Sequence, residues 1–388
     1  MTDARHRHQP ELQSIRGLAA LAVVIYHCLS FYNVSPTLSR WSELLLNAHA
    51  QVVLFFVLSG LVLSGSLMRK QVSLRNYLVF GIGRAARIYP ALWVAVGLAC
   101  LYIPLREYLP AAQNRSALGL DVDLHRITRG DVIGSLLGAR AYPLPQLWSI
   151  KCELIAGLAM PALAWMVAAA RTWFYPVLVT VLLGIVSMKA GLDGQYLVDF
   201  ALGAMAMRLI LTLRAGDVQR GSLPIALTLL VIMILFRQAS RNWAFDVDYH
   251  APVPALIEGI AAALLLVVLE CSDMNRSVLL APTLVWLGDI SYGVYLLHFP
   301  VLQFGSRLLP LLLGHVYARD PNSSALILTV ATVAVVLPLS HFCYRLVELP
   351  GIRVGAWIIR HQGRFTWRTD VTARLRARQS VVASAEPD

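Results

Sequence analysis

The sequence predicts an all-α fold: a polytopic membrane helical bundle of about ten transmembrane helices with both termini cytoplasmic. Three observations lead there. Of the 388 residues, 57% are apolar and only 14% charged, far from the composition of soluble domains. The apolar residues gather in blocks long enough to cross ~30 Å of hydrocarbon, which takes about 20 helical residues. The cations are spread unevenly about those blocks, in the manner of cytoplasmic and outer loops.

The blocks fall at 17–34, 48–68, 88–105, 147–170, 172–190, 195–213, 222–236, 253–269, 284–304 and 323–344. The one ending at Phe236 is short, and 308–316 has room for a re-entrant turn, so nine to eleven spans satisfy the pattern. They are read as helices because lipid offers no partner to a free backbone polar group. A β-barrel would alternate instead of running in solid apolar blocks. With the N-terminus inside, about two-thirds of the 33 Lys and Arg residues face the cytoplasm, as the positive-inside rule requires. The net charge of +11 then reflects topology and a basic tail against membrane lipids, and no nucleic-acid partner is expected.

The first block has the basic leader of a signal peptide but no small-residue cleavage site, and His27 and Cys28 interrupt it, so it reads as a retained helix. The five cysteines form no CxxC pair, and neither disulfides nor a metal is expected. Residues 1–350 read as one transmembrane domain, and 351–388 as a basic, partly disordered cytoplasmic tail. The longest outer loop, 106–144, is expected to fold over the outer face. The absence of an internal repeat speaks against an inverted-repeat transporter.

Ionisable groups inside spans are costly and usually functional; here they are His27, Lys151, Glu153, Asp199, Glu258, Asp289, His298 and His341. His27 lies eleven residues beyond Arg16, about three helical turns, which puts both on one face some ~16 Å apart and His27 near the midplane. An imidazole there suits proton abstraction or acyl carriage; a core histidine bonded to a neighbouring helix is the alternative. Glu153, counted inward from Leu144, reaches ~13 Å from the opposite face. It is therefore expected beside His27, to fix its tautomer as triad carboxylates do. An ion pair with Lys151 is disfavoured, because residues two apart on a helix do not face each other.

Arg84 and Arg87 share a helical face, and Pro90 suits the first turn of the span that follows. Paired guanidiniums grip phosphate through forked hydrogen bonds, although flanking arginines are also ordinary topology signals. With Arg16 at the same depth, three arginines at one mouth beneath a midplane histidine fit a phosphorylated ligand with its reactive end in the membrane. Acyl-CoA is the candidate, its pantetheine arm threading toward His27. Asp289 and Ser291 are expected to cap or join helices. Glu258 and Asp199, in outer halves of their spans, would line an acceptor entrance. His341 reads as structural, and Trp41, Trp93 and Trp286 as interfacial anchors.

The segment Ile15–His27 resembles the opening motif of acyltransferase family 3, membrane O-acyltransferases that modify surface and secreted glycans. Further matches follow in order along the membrane domain: Phe55-Phe56-Val57-Leu58-Ser59-Gly60, Arg84 to Pro90 with Tyr89, Leu147-Trp148-Ser149 with Glu153, Gly288 to Pro300 with His298, and Tyr344 through Glu348 to Pro350. The resemblance implies His27 and Glu153 as catalytic residues and Arg16, Arg84 and Arg87 as the acyl-CoA site, with Trp148, Ser149, Lys151, Tyr89 and His298 in support. Lys151 departs from the family pattern, which has a small or uncharged residue there. The resemblance further implies acetyl-CoA as co-substrate, no metal, a glycan acceptor and a bacterial inner (plasma) membrane location, with room for a homo-oligomer. A proton-coupled sugar or lipid transporter and an inactive scaffold are the rival readings, distinguished by the absence of CoA dependence.

Overall fold

A computed structural model describes residues 10–109, 115–116, 127–189, 196–213, 222–241, 252–272, 276–314, 317 and 320–362. Arg5, Arg7 and the tail segment 363–388 lie outside the described residues. Among those described there is no strand, only an isolated bridge between Tyr32 and Arg115.

The helices run α1 (Pro10–Leu29), α2 (Pro36–Leu46), α3 (Ala48–Leu67), α4 (Leu74–Leu105), α5 (Arg129–Leu136), α6 (Leu147–Ala169), α7 (Phe174–Lys189), α8 (Leu197–Thr212), α9 (Ser222–Arg241), α10 (Pro252–Cys271), α11 (Pro282–Asp289), α12 (Ser291–Leu313), α13 (Pro321–Cys343) and, after a π-helical turn over Tyr344–Glu348, α14 (Leu349–Gln362). Eight helical segments among the described residues are long and apolar enough to cross a membrane. Helices α7 and α8, in the blocks 172–190 and 195–213, are 16 residues each, or ~24 Å at ~1.5 Å per residue. That is short of the hydrocarbon thickness, which is why eight rather than ten segments meet the length.

Three elements differ from the sequence reading. Helix α4 starts well before residue 88, because the Asn76 amide N–H donates to Ser73 Oγ at 3.2 Å and caps it there. Pro90 therefore sits in mid-helix, and Gly351 of α14 packs on the Ala86 carbonyl and the Pro90 ring. Residues 308–314 make no re-entrant turn: α12 runs unbroken to Leu313 and stops at Gly314, whose φ of 51° only glycine adopts freely. Asp289 and Ser291 do sit at a junction, where Ile290 breaks the block 284–304 into α11 and α12.

Helix α1 is the axle, packed against α3, α11, α12 and α13. Helices α3 and α8 approach closely through glycines: a methyl on Gly203 would lie 2.1 Å from the Val57 carbonyl oxygen, and one on Gly60 2.3 Å from that of Phe200. Small residues permit such contact where lipid, as apolar as leucine, gives helices no hydrophobic reason to associate. Helix α6 packs on α3, α4, α7 and α8.

Candidate active site

Arg16, Arg84 and Arg87 line one cavity of about 410 Å³, together with Lys70, Ser149 and Glu153. Helix α14 closes part of it with Ile359, and α12 contributes Ser291, Tyr292 and Tyr295. The three arginines expected at one mouth are thus brought together. Arg16 is braced by Gln13 Oε1 at 3.4 Å, and Arg84 Nη2 donates to Glu153 Oε1 at 2.9 Å. Gly157 makes room for that pair, since even a methyl there would meet Arg84 Nε at 3.0 Å.

Glu153 therefore does not serve His27. Its carboxylate turns toward α4 and pairs with Arg84. The partner of His27 is His298: Nδ1 and Nε2 lie 3.0 Å apart, with the rings stacked at 5.2 Å and 6°. His298 is fully buried, and its own Nδ1 lies 2.6 Å from the Tyr295 carbonyl oxygen. That oxygen can only accept, so His298 Nδ1 carries hydrogen and, in the neutral ring, Nε2 carries a lone pair. His27 Nδ1 must then donate to it, which leaves His27 Nε2 as the basic nitrogen. His27 as a residue is half-buried.

His27 and His298 do not line the cavity. Tyr295, which lines it, has its ring 5.8 Å from that of His298 and its hydroxyl 2.7 Å from Ser149 Oγ. Trp148 packs behind this wall on Tyr196 at 5.0 Å and Phe56 at 6.1 Å. Lys151 is half-buried on α6 and outside the cavity lining. Tyr89 also turns away, its hydroxyl donating to the Leu137 carbonyl oxygen at 3.2 Å. Tyr292 and Tyr295, which sequence reasoning left unassigned, were signalled by spacing: Ser291, Tyr295 and His298 follow at intervals of four and three, one face of a helix. Lys70, in the turn after α3, carried no signal beyond its charge.

Glu258 and Asp199 do not line an entrance. Glu258 is wholly buried, receiving Arg237 Nε and Nη2 at 3.0 and 2.9 Å and contacting His49 Nδ1 at 2.6 Å. Asp199 is buried against Gly259 of α10. A desolvated carboxylate needs such partners, and helices α9 and α3 supply those of Glu258.

A family model described as an acyltransferase domain, that of acyltransferase family 3, matches residues 9–341. The chain belongs to acyltransferase family 3. It is a multi-pass membrane acyltransferase. It is similar to the acyltransferase MdmB of Streptomyces mycarofaciens, 27% identical over 380 residues that cover 89% of this chain and 92% of the relative. No solved structure matches it. The match to acyltransferase family 3 takes in both histidines and all three arginines of the site.

Proposed function

We propose that this acyltransferase moves a short acyl group, acetyl in the first instance, from cytoplasmic acyl-CoA to a hydroxyl of a carbohydrate, in the plasma membrane of a bacterium. The observation that carries the reading is the cavity holding Arg16, Arg84 and Arg87, whose wall residue Tyr295 packs on His298, the partner of His27. Forked guanidiniums suit the phosphates of CoA. At about 410 Å³ the space takes a pantetheine arm with little to spare for a long acyl chain. The bacterial relative supports the cellular setting.

In the reaction, His27 Nε2 takes the proton of the acceptor hydroxyl as its oxygen attacks the thioester carbonyl. The C–O bond forms, the C–S bond breaks, and the proton passes to the departing thiolate to give free CoA thiol. In the other route the same nitrogen receives the acyl group first and the hydroxyl then removes it. His298 holds the hydrogen on Nδ1 in both.

The test uses protein in liposomes with radiolabelled acetyl-CoA, and mass spectrometry of glycans from a deletion strain and its parent. His27→Ala should abolish transfer while retaining CoA binding, and the deletion strain should lose O-acetyl groups. Substrate flux without CoA dependence, or normal transfer by His27→Ala, refutes the reading.

A further inference from the structure

Close to the arginine cavity, two buried polar atoms have no hydrogen-bond partner among the described residues: Glu348 Oε1 and Ser340 Oγ. Glu348 exposes 3% of its surface and Ser340 none. They meet at Gly293 of α12, where a methyl would lie 3.1 Å from Ser340 Cβ and 3.3 Å from Glu348 Oε1. Gly293 follows Tyr292, a cavity-lining residue whose hydroxyl donates to the Ile88 carbonyl oxygen of α4 at 2.9 Å. Glu348 itself does not line the cavity.

The backbone departs from α-helix to put this carboxylate in place. Glu348 ends the π-helical turn between α13 and α14, where the Leu349 N–H donates to the Tyr344 carbonyl oxygen, five residues back. Single π-helical turns of this kind are frequent at functional sites. A buried carboxylate without hydrogen-bond donors is costly, so packing alone would favour an apolar residue here. What faces it is positive charge. Arg87 and Arg16 act electrostatically on Glu348, and both line the cavity. The other carboxylate nearby is used differently: Glu153 accepts a hydrogen bond from Arg84 at 2.9 Å. Glu348 Oε1 takes no N–H from either guanidinium, so its pull on them is through space.

We propose that Glu348 is a positioning residue that acts through Arg16 and Arg87: its charge tempers their hold on the phosphates of CoA, so that free CoA leaves after transfer. The proposal rests on the acyl-CoA reading above and deepens it with a device for product release. Three arginines and Lys70 converge on one cavity. Loss of the acyl group leaves the phosphates unchanged, so the same cations would hold product as firmly as donor. Such uniform binding lowers KM without raising kcat, and product release is a common limit on turnover. A fixed negative charge behind two of the cations opposes the incoming phosphates, and burial protects that opposition from screening by salt.

The experiment measures binding of radiolabelled CoA to the full chain in liposomes, and its displacement by acetyl-pantetheine, which carries no phosphate. A wild-type protein that binds no CoA sinks the acyl-CoA reading itself, and the proposal with it. Given that binding, Glu348→Gln should tighten CoA at least threefold and slow its release, with acetyl-pantetheine affinity unchanged. Glu348→Asp, which keeps the charge, should stay within twofold of wild type. Glu348→Met, also uncharged and of similar length, carries the same expectation as Gln should the Gln variant not be recovered folded. Unchanged or weaker CoA binding in the uncharged variants, or equal tightening of acetyl-pantetheine, overturns the proposal while the acyl-CoA reading stands. Failure of both uncharged variants to fold marks Glu348 as a structural residue and overturns it as well.

Discussion

Replacing His298 by leucine isolates the tautomer argument. The change removes the acceptor that lies 3.0 Å from His27 Nδ1, while His298 itself does not line the arginine cavity. A buried donor left without a partner costs about 1–3 kcal/mol. At roughly 1.4 kcal/mol per decade, the ring should turn or move its hydrogen to Nε2 often enough to lower kcat about 10- to 100-fold. The KM for acetyl-CoA should stay where it was. Gln, whose side-chain oxygen can accept, should restore part of the lost rate, and leucine should not. The assay is CoA thiol release by protein in liposomes at saturating and limiting acetyl-CoA. An unchanged kcat in His298→Leu, or a loss confined to KM, refutes the assignment of Nε2 as the working nitrogen.

Glu153 and Arg84 separate the observed pairing from the expected one. Arg84→Ala should raise KM for acetyl-CoA about tenfold or more, since hydrogen bonds to charged groups contribute roughly 1.5–3 kcal/mol. Glu153→Gln, which removes only the acidic member of that pair, should alter KM and leave kcat near wild type; a collapse of kcat alone would return Glu153 to His27. Glu258→Gln should destabilise the fold by about 3–5 kcal/mol, as expected for one partner lost from a buried ion pair. Thermal unfolding in detergent checks this, and replacing His49, Arg237 and Glu258 together by Phe, Met and Leu should cost less than the single change. Asp131 accepts hydrogen bonds from the Thr128 side chain and backbone and from Arg140, which hold its pKa at about 2, below the ordinary 3.8. A depressed carboxylate stabilises above its unfolded pKa and loses that contribution as pH falls through the folded one. Intrinsic rates being allowed for, amide exchange over α5 should therefore show constant protection from pH 7 to about 4, whereas Asp131→Asn should show less protection throughout that range.

Much of the fold was legible because a membrane helix declares itself one residue at a time: apolar length and flanking arginine suffice. The arginine cavity was legible in part, since Arg84 and Arg87 are three apart on one helical face, although the helix that carries them begins at Leu74 and not after them. What sequence could not give was azimuth and adjacency. Residue counting set Glu153 against His27, yet its carboxylate pairs with Arg84 of α4 and His27 with His298 of α12, and only packing reveals that. His298 carried a usable signal, its place on one face with Ser291 and Tyr295, but nothing in a linear pattern pairs it with a helix some 270 residues away. The amphipathic start of α4 was missed because an apolar-block reading begins where charge ends, whereas the chain begins the helix at the Ser73 cap.

Arg16 belongs to the first helix and Ile359 to the last one described, yet both border the donor cavity. A chain inserted into the bilayer as it is synthesised would carry its imidazole long before it has a place to hold a thioester. The wall of that cavity is complete only once α14 has folded back along α4, with Gly355 against the Ala86 methyl. On the proposed acyl-CoA reading, a reporter spliced in directly after Glu348 should yield a well-inserted but inert protein.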